Sequence, residues 1–429
     1  MWSIACVFES VCGGNMHVFI LFKEFLQDIK TQKTRAFLTT IAISWGIIAV
    51  TLLMAFGKGL SYRVRLGLIN AGDQVIYVYG GQTTLKYKGL PVGRRIRLKR
   101  EDSRIIAKNI PQVAVAIPEL GRRVRLKVGG KIATTYMEGV YPEFEFLRRM
   151  FPASGSRFVN NKDLQERRRV LFLGEEIARE LFGSRKAVGQ KVDIDGVPFT
   201  VIGIMPHKIQ TSMNNGPDSR RAIIPFTTFR SIYGNTYINQ ILVRPVRPDR
   251  SSFVVTEVRK VLAREYHFDA RDESAVSIWD MAEAEKTMKK VFGGINIFLA
   301  LTGAMTLIIA GVGVANIMFV VAKERTREIG IKRAIGARRR DIVFQFVFES
   351  LLIAFSGGII GLLISAAVVK LMWMLPANDQ TMQFLARPIF SFDVLLLSLT
   401  MLSVIGLLAG YFPARKAAKV NPVDALRYE

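Results

Sequence analysis

The side chains that usually carry chemistry are present in this chain, but not in working arrangements. His17, His207 and His267 are too scattered to form a metal cluster, and no H-E-x-x-H run occurs. No G-x-x-x-x-G-K-[ST] loop is present to cradle a triphosphate, and no G-x-S-x-G elbow presents a nucleophile. The only cysteines, Cys6 and Cys12, lack the spacing or partners of a metal site. The residues therefore predict no catalytic set, no metal and no cofactor. One segment has functional spacing of another kind. Ala322–Ile342 reads AKERTREIGIKRAIGARRRDI, with Ile329, Ile331, Ala334 and Ile335 interleaved among charges. It predicts a short amphipathic helix over Glu324–Ile335 that Gly336 ends or bends. Such a helix suits either docking into a partner's groove or enforcing topology as a basic loop on the membrane surface.

What positions that segment is hydrophobic. Ala36–Phe56, Ile295–Ala322, Ile342–Val369 and Val394–Phe412 are each long enough to cross a bilayer, for which roughly 20 apolar residues suffice. One span comes early and three come late, so the expected fold is a membrane protein with four transmembrane α-helices (1+3) and a large α+β extracytoplasmic domain inserted between helices 1 and 2. The expected divisions are 1–58, 59–290 and 291–429, with the loop 323–341 inside the last. Lys23, Lys30, Lys33 and Arg35 precede the first span. Eight Lys and Arg fall within Lys323–Arg340, and Arg415, Lys416, Lys419 and Arg427 follow the last span. Positive flanks stay in the cytoplasm, which places both termini and the 323–341 loop inside and the large domain outside.

The formal net charge is +25, and residues 58–290 hold 42 Lys and Arg against 24 Asp and Glu, an excess of 18. An outer location argues against nucleic acid as the reason; anionic headgroups, wall polymers or an acidic partner fit better. The outer domain contains no cysteine. Ala36–Phe56 is too long for a cleaved signal peptide, Met16 reads as an alternative start, and Val18–Lys30 predicts an interfacial amphipathic helix.

Within the outer domain two strand–helix–strand patterns stand out. The first is Asp73–Tyr79, Glu101–Asn109 and Val113–Ile117; the second is Asn239–Val246, Ser252–Tyr266 and Ala275–Trp279. Together they predict an α+β base from about 59–119 and 225–290, each unit pairing its strands with a helix packed across them. A strand-rich insert is expected at about 120–224, with hairpins at Gly129-Gly130 and Asp195-Gly196 and a helix over Glu175–Phe182. Met281–Val291 predicts a helical stalk running into the second span, with Gly293-Gly294 as its flexible point. In the spans, Gly303, Gly311, Gly357, Gly361, Gly406 and Gly410 are expected to let helices pack closely. Glu349 suits an interhelical contact better than a proton site, and no row of ionisable residues suggests a pump.

Three motifs resemble MacB/FtsX-type ABC transporter permeases. They are Gly311–Met318 followed by ERTREIGIKRAIGARRRDI, the tail Pro413–Ala418 with Asn421–Arg427, and the entry Lys33–Thr40. Val170–Gly183, Val188–Gln190 and Phe199–Met205 look like that family's extracytoplasmic core domain. The resemblance implies a non-catalytic permease subunit of a bacterial inner membrane. Its expected partners are a separate cytoplasmic ABC ATPase, a second permease protomer, identical or not, and a periplasmic adaptor (membrane fusion protein). It implies that Glu324, Arg325, Thr326, Arg327, Glu328, Ile329, Gly330, Arg333, Gly336 and Ala337 form the segment that couples to the ATPase. The expected function is ATP-driven efflux or release of a peptide, drug, lipid or lipoprotein. The alternative is an FtsX-like transducer that regulates an outer enzyme such as a cell-wall hydrolase.

Overall fold

The computed structural model describes residues 33–72, 74–210, 216–374 and 387–419. The predicted helix at Val18–Lys30, both cysteines and the Asn421–Arg427 motif lie outside the described residues. The chain divides into two compact units, Tyr62–Val291 and the combination of Met1–Ser61 with Phe292–Glu429.

In Tyr62–Val291 the alternating apolar pattern of short segments builds one hydrogen-bonded sheet system. Helix α1 (Lys33–Ala71) leads into β1 (Ile76–Gly80), α2 (Arg100–Asn109), β2 (Val113–Val128) and β3 (Lys131–Val140). Then come α3 (Phe144–Leu147), α4 (Asn161–Gln165), β4 (Val170–Gly174), α5 (Glu175–Phe182), β5 (Lys191–Ile194) and β6 (Val197–Met205). The unit closes with β7 (Arg221–Pro225), α6 (Phe226–Tyr233), β8 (Gln240–Pro245), α7 (Ser251–Tyr266) and β9 (Val276–Asp280).

Four strands form an antiparallel base in the order β2-β8-β1-β9. The strands of each strand–helix–strand unit are therefore not paired with each other, as their sequence pattern suggests; β8 lies between β1 and β2, and β1 lies between β8 and β9. The reason is size. A helix about 10 Å across covers two strand spacings of about 4.8 Å, so each crossover leaves a slot that the other unit fills, the ferredoxin-like arrangement. Period-two burial follows. Ile76, Val78, Ile241, Val243 and Val276 share a core with Val254, Val258 and Leu262 of α7 and Ile106 of α2. Tyr77, Ile117 and Leu242 belong to a second cluster with Phe144, Met150 and Phe172.

The far half of β2 takes part in a different structure. It pairs with β3 on one side and β5 on the other, and the order β3-β7-β4-β6-β5-β2 closes on itself into a six-stranded ring. Closure removes free edges, and the ring is filled by Val124, Leu126, Leu171, Val192, Phe199 and Ile224, among others. The β5–β6 turn is Asp195-Gly196, with φ of 49° and 91°, the left-handed pair that a two-residue hairpin requires.

A buried ionic network links strands of both halves. The Arg148 guanidinium meets Asp218 at 2.6 Å and donates to the Tyr77 hydroxyl at 2.6 Å. Lys208 Nζ and Arg221 Nε lie 2.6 and 3.0 Å from Asp218, and Arg221 also pairs with Glu138. Gln240 donates to Glu119 at 2.6 Å. Three acids thus face three bases. Burial works to raise the Asp218 carboxyl, but Arg148 and Lys208 outweigh it and hold the group below the ordinary carboxylate range. Burial dominates at Glu119 and pushes its carboxyl up.

The second unit holds α8 (Met281–Glu324) from Phe292 onward, α9 (Thr326–Ala334), α10 (Arg339–Met374) and α11 (Phe392–Ala417), with the first part of α1. Helix α8 is unbroken across Gly293-Gly294, and α1 continues past Phe56 through Lys58, Arg63 and Arg65. The four long helices are apolar enough to cross a membrane. Ile43, Ile47 and Val50 of α1 pack with Leu307, Val314 and Met318 of α8, Phe346 and Ala354 of α10, and Leu402 and Ala409 of α11.

Because the folded Asp218 carboxyl titrates below its unfolded value, its stabilising contribution is present above about pH 4 and is lost as pH falls through the lower folded value. Asp218→Asn leaves two buried bases without their counter-charge and is expected to cost about 3–5 kcal/mol at pH 7. The difference from wild type should narrow below pH 4. Thermal unfolding of the purified protein at both pH values checks this, and an unchanged midpoint at neutral pH would contradict it.

Candidate functional site

The segment with functional spacing lies between α8 and α10, at one end of the bundle. Its start is a kink of one residue. Arg325 adopts φ −90°, ψ 14° between α8 and α9, and its amide still reaches the Val321 carbonyl at 3.0 Å. The Thr326 hydroxyl donates to the Lys323 carbonyl at 2.7 Å, satisfying one acceptor that the break would leave open. Its end is a glycine cap. Gly336 has φ +112°, its amide bonds to Arg333 O at 3.1 Å, and the Ala337 amide reaches Lys332 O at 3.0 Å. That pair of bonds is a Schellman motif, which a residue bearing a Cβ adopts only under strain. Asp341 then accepts from the Arg338 amide at 2.9 Å and opens α10.

Between kink and cap, α9 has two faces. Ile329, with 3% exposure, packs in a cluster with Val321, Ala322, Ile342, Phe346, Ala414 and Ala417; Gly330 is also buried and Ala337 packs at the edge. Arg325 and Glu349 of α10 form an ion pair at 3.3 Å, both mostly buried. Lys332 bonds to Gln345 of α10 at 3.4 Å and to Glu328 at 2.8 Å. On the other face Glu324, Arg327, Glu328, Ile331 and Ile335 are exposed, Ile335 to 82%, while Arg333 is half-buried. The structure thus sorts the predicted residues: Arg325, Ile329, Gly330 and Ala337 lie against the bundle, and Glu324, Arg327 and Glu328 face away from it. Gly336 is exposed and Thr326 half-buried, at the two ends.

The span glycines sit where backbones come close. A Cβ on Gly303 would lie 2.8 Å from Val50, one on Gly357 2.9 Å from the Thr40 carbonyl oxygen, and one on Gly361 2.8 Å from the Ser44 carbonyl oxygen. Gly406 faces Ala354 at 2.9 Å, Gly410 faces Ser350, and Gly311 faces Ile405. Close approach lets hydroxyls reach across. Ser44 of α1 donates to the Gly357 carbonyl at 2.8 Å, and Ser350 of α10 lies 3.0 Å from that of Gly406. Neither serine was legible as a contact in the sequence, because a serine in an apolar run bonds equally well to its own helix.

A family model described as the MacB-like periplasmic core domain matches residues 36–261, and one described as the FtsX-like permease C-terminal domain matches residues 300–422. The chain belongs to the MacB/FtsX-type permease family. It is 28% identical over 405 residues to the macrolide export ATP-binding/permease protein MacB of Bdellovibrio bacteriovorus, covering 94% of this chain and 61% of that protein. The protein of the same name from Chlorobium phaeobacteroides is 30% identical over 404 residues, covering 94% and 60%. This permease therefore spans about 60% of the length of the relatives it matches. A solved structure, the periplasmic region of MacB from Actinobacillus actinomycetemcomitans, aligns with a TM-score of 0.41 and 18% identity over 52% of this chain and 95% of that one. Family and structure together make this a multi-pass membrane protein with a MacB-like domain between its first two spans.

Glu349→Ala removes the partner of a mostly buried guanidinium and is expected to destabilise the α9 attachment by about 1.5–3 kcal/mol. Trypsin should then cut faster at Arg327 and Lys332 in detergent-solubilised permease. The exchange Arg325→Glu with Glu349→Arg should recover part of the protection, and cutting rates equal to wild type in the single variant would refute the anchoring role.

Proposed function

We propose that the chain is the non-catalytic permease of an ATP-driven efflux or release system, and that α9 docks on a cytoplasmic ABC ATPase supplied by a partner chain. The observation that carries this reading is the two-faced build of α9. One face is tied to the bundle by Ile329 and the Arg325–Glu349 pair, while Arg327, Glu328, Ile331 and Ile335 face away from it. An apolar edge set among charges of both signs suits a groove on another protein better than a headgroup surface. The positive flanks favour α9 and both termini on the cytoplasmic side of the membrane, which this reading takes to be a bacterial inner membrane, with the Tyr62–Val291 unit outside.

Force has a covalent route in each direction from the membrane. A single residue joins α9 to α8, so displacement of α9 acts on α8 directly. At its other end α8 begins immediately after β9. The Met281 amide bonds to Val75 O at 3.1 Å, and Asp280 accepts from the Ala282 amide at 2.9 Å and from Ser251 at 2.5 Å. The start of α8 is thereby fixed in the base sheet of the outer domain. Nucleotide-driven closure of two ATPases need only favour one arrangement over the other by about 5.5 kcal/mol to invert a 1:99 population. A second permease protomer completes such a system, with an outer adaptor where cargo must go further. The relatives' name refers to macrolide export; for this chain the reading covers a peptide, drug, lipid or lipoprotein as cargo.

Ile331→Asp combined with Ile335→Asp is expected to lower permease-stimulated ATPase activity at least tenfold in proteoliposomes, leaving insertion and thermal stability intact. Glu328→Lys should act in the same direction, more weakly. Full stimulation in the double variant, or failure to recover any nucleotide hydrolase with the wild-type chain, counts against the reading.

A further inference from the structure

The excess of positive charge on the outer unit is unevenly spread. Lys86–Arg100 holds seven Lys and Arg and no acid. Arg94 has a structural task, since its guanidinium donates to the His267 carbonyl at 2.6 Å, at the end of α7. Arg95 and Arg97 have no such task, and no carboxylate among the described residues pairs with either. Their backbone is nevertheless held on both sides. The Ile96 amide donates to Gly81 O at 2.9 Å, and a Cβ on Gly80 would collide with the Ile96 carbonyl. Across from them the Ile238 amide donates to Leu98 O at 2.9 Å, and the Tyr266 hydroxyl reaches Arg97 O at 3.0 Å. Extended backbone alternates its faces, so Ile96 and Leu98 are buried while Arg95, Arg97 and Lys99 are exposed.

Arg95 and Arg97 line a cleft of about 350 Å³ together with Asn235, Tyr237 and Asn239. Arg97 sits over the Tyr237 ring, 5.2 Å from its centroid. That shelf limits the guanidinium's freedom and leaves its N–H groups for a ligand. The Asn239 side-chain oxygen accepts from the Gly121 amide at 2.8 Å, which leaves its NH2 to donate. Among the described residues no hydrogen-bond partner meets the Asn235 side chain. None of the lining residues is acidic, and the aliphatic ones, Ile96, Leu98 and Ile238, belong to the hydrophobic core. The cleft thus offers many donors and little apolar surface.

We propose that this cleft binds a phosphate group, carried by the head of an anionic amphiphile or by a small organic phosphate. Two guanidinium forks and asparagine amides supply more N–H groups than the two oxygens of a carboxylate can use, whereas a terminal phosphate presents three. The arginines lie in a recess with room for a head group, which suits a small anion better than the flat surface of an acidic protein. A polar lining leaves any acyl tail outside. Binding rests on the cleft alone; the role of the ligand as cargo rests on the efflux reading above.

The test is calorimetric titration of the full chain in dodecyl maltoside, which carries no phosphate, with detergent blanks subtracted. The probes are inorganic phosphate, glycerol 3-phosphate, dihexanoyl phosphatidic acid, hexanoate and polyglutamate. One phosphate ligand per chain is expected. Arg95→Ser with Arg97→Ser should weaken it at least about tenfold, and Arg97→Lys, which keeps the charge, about threefold or more. Lys127→Ser with Arg250→Ser takes the same charge from exposed positions outside the cleft and should change affinity less than about twofold. Tighter binding of phosphatidic acid than of glycerol 3-phosphate assigns a lipid head; the reverse, or equality, assigns a small phosphate. No binding of any phosphate probe, hexanoate or polyglutamate bound as tightly, equal losses in the two double variants, or an unaffected Arg97→Lys overturns the proposal. The two readings separate: ATPase stimulation without phosphate binding sinks only the cleft, and phosphate binding without a nucleotide hydrolase sinks only the efflux reading.

Discussion

A helix in hydrocarbon has to close its own backbone hydrogen bonds, because lipid supplies no substitute. That constraint decides where this chain can break. Between the second and third spans the chain breaks twice, beside Lys323 and Arg338 where charged residues mark the end of the apolar run, and it still meets freed backbone groups locally. It does so at a one-residue kink, where Arg325 keeps its bond to Val321 and Thr326 folds its hydroxyl back on Lys323. The far break uses Gly336 and two tightly placed amides. Both devices are compact, so α9 stays against the ends of the spans instead of swinging free, with Ile329 in the apolar cluster and Arg325 held by Glu349.

The two units meet the cost of polarity by opposite means. In the bundle, apart from ion pairs near the helix ends such as Arg325–Glu349, the spans are joined among the described residues by short hydroxyl bonds: Ser44 and Ser350 reach glycine carbonyls where missing side chains let backbones approach. In the inserted unit six charged side chains are gathered out of water around Asp218 and balanced three against three. Isolated buried charges would be expensive, and here the guanidinium groups of Arg148 and Arg221 and the Lys208 ammonium offset one another's demands through shared carboxylates. The network draws on β1, β2, β3, β7 and β8, so it holds the base and the ring to one geometry.

Much of this was legible in the sequence, and the divide follows physical range. The four spans, the Gly129-Gly130 and Asp195-Gly196 hairpins, α5 ending at Gly183 and α7 with its stripe of Val254, Val258 and Leu262 are set by periods of two or 3.6 residues and by turn chemistry. The family resemblance rested on Gly311–Ile342, the tail motif, the entry Lys33–Thr40 and stretches of the outer domain, of which the first is the longest run. What escaped depends on residues distant in the chain. Nothing near Arg148 announces Asp218, 70 positions away. The interleaving of β8 between β1 and β2 follows from the widths of helices and strands, which no local pattern records. In the candidate site, the charges of α9 were evident, but which of them face Glu349 and which face outward required the kink at Arg325.

Strand β2 belongs to both the base and the closed ring, pairing with β8 through Glu119 and with β3 from Leu120 onward. Recombinant fragments cut near that residue would each inherit half a strand and two raw edges, an invitation to aggregate. The outer unit is thus best cloned, crystallised or swapped between relatives whole, and a chimera that exchanges only the ring should prove insoluble.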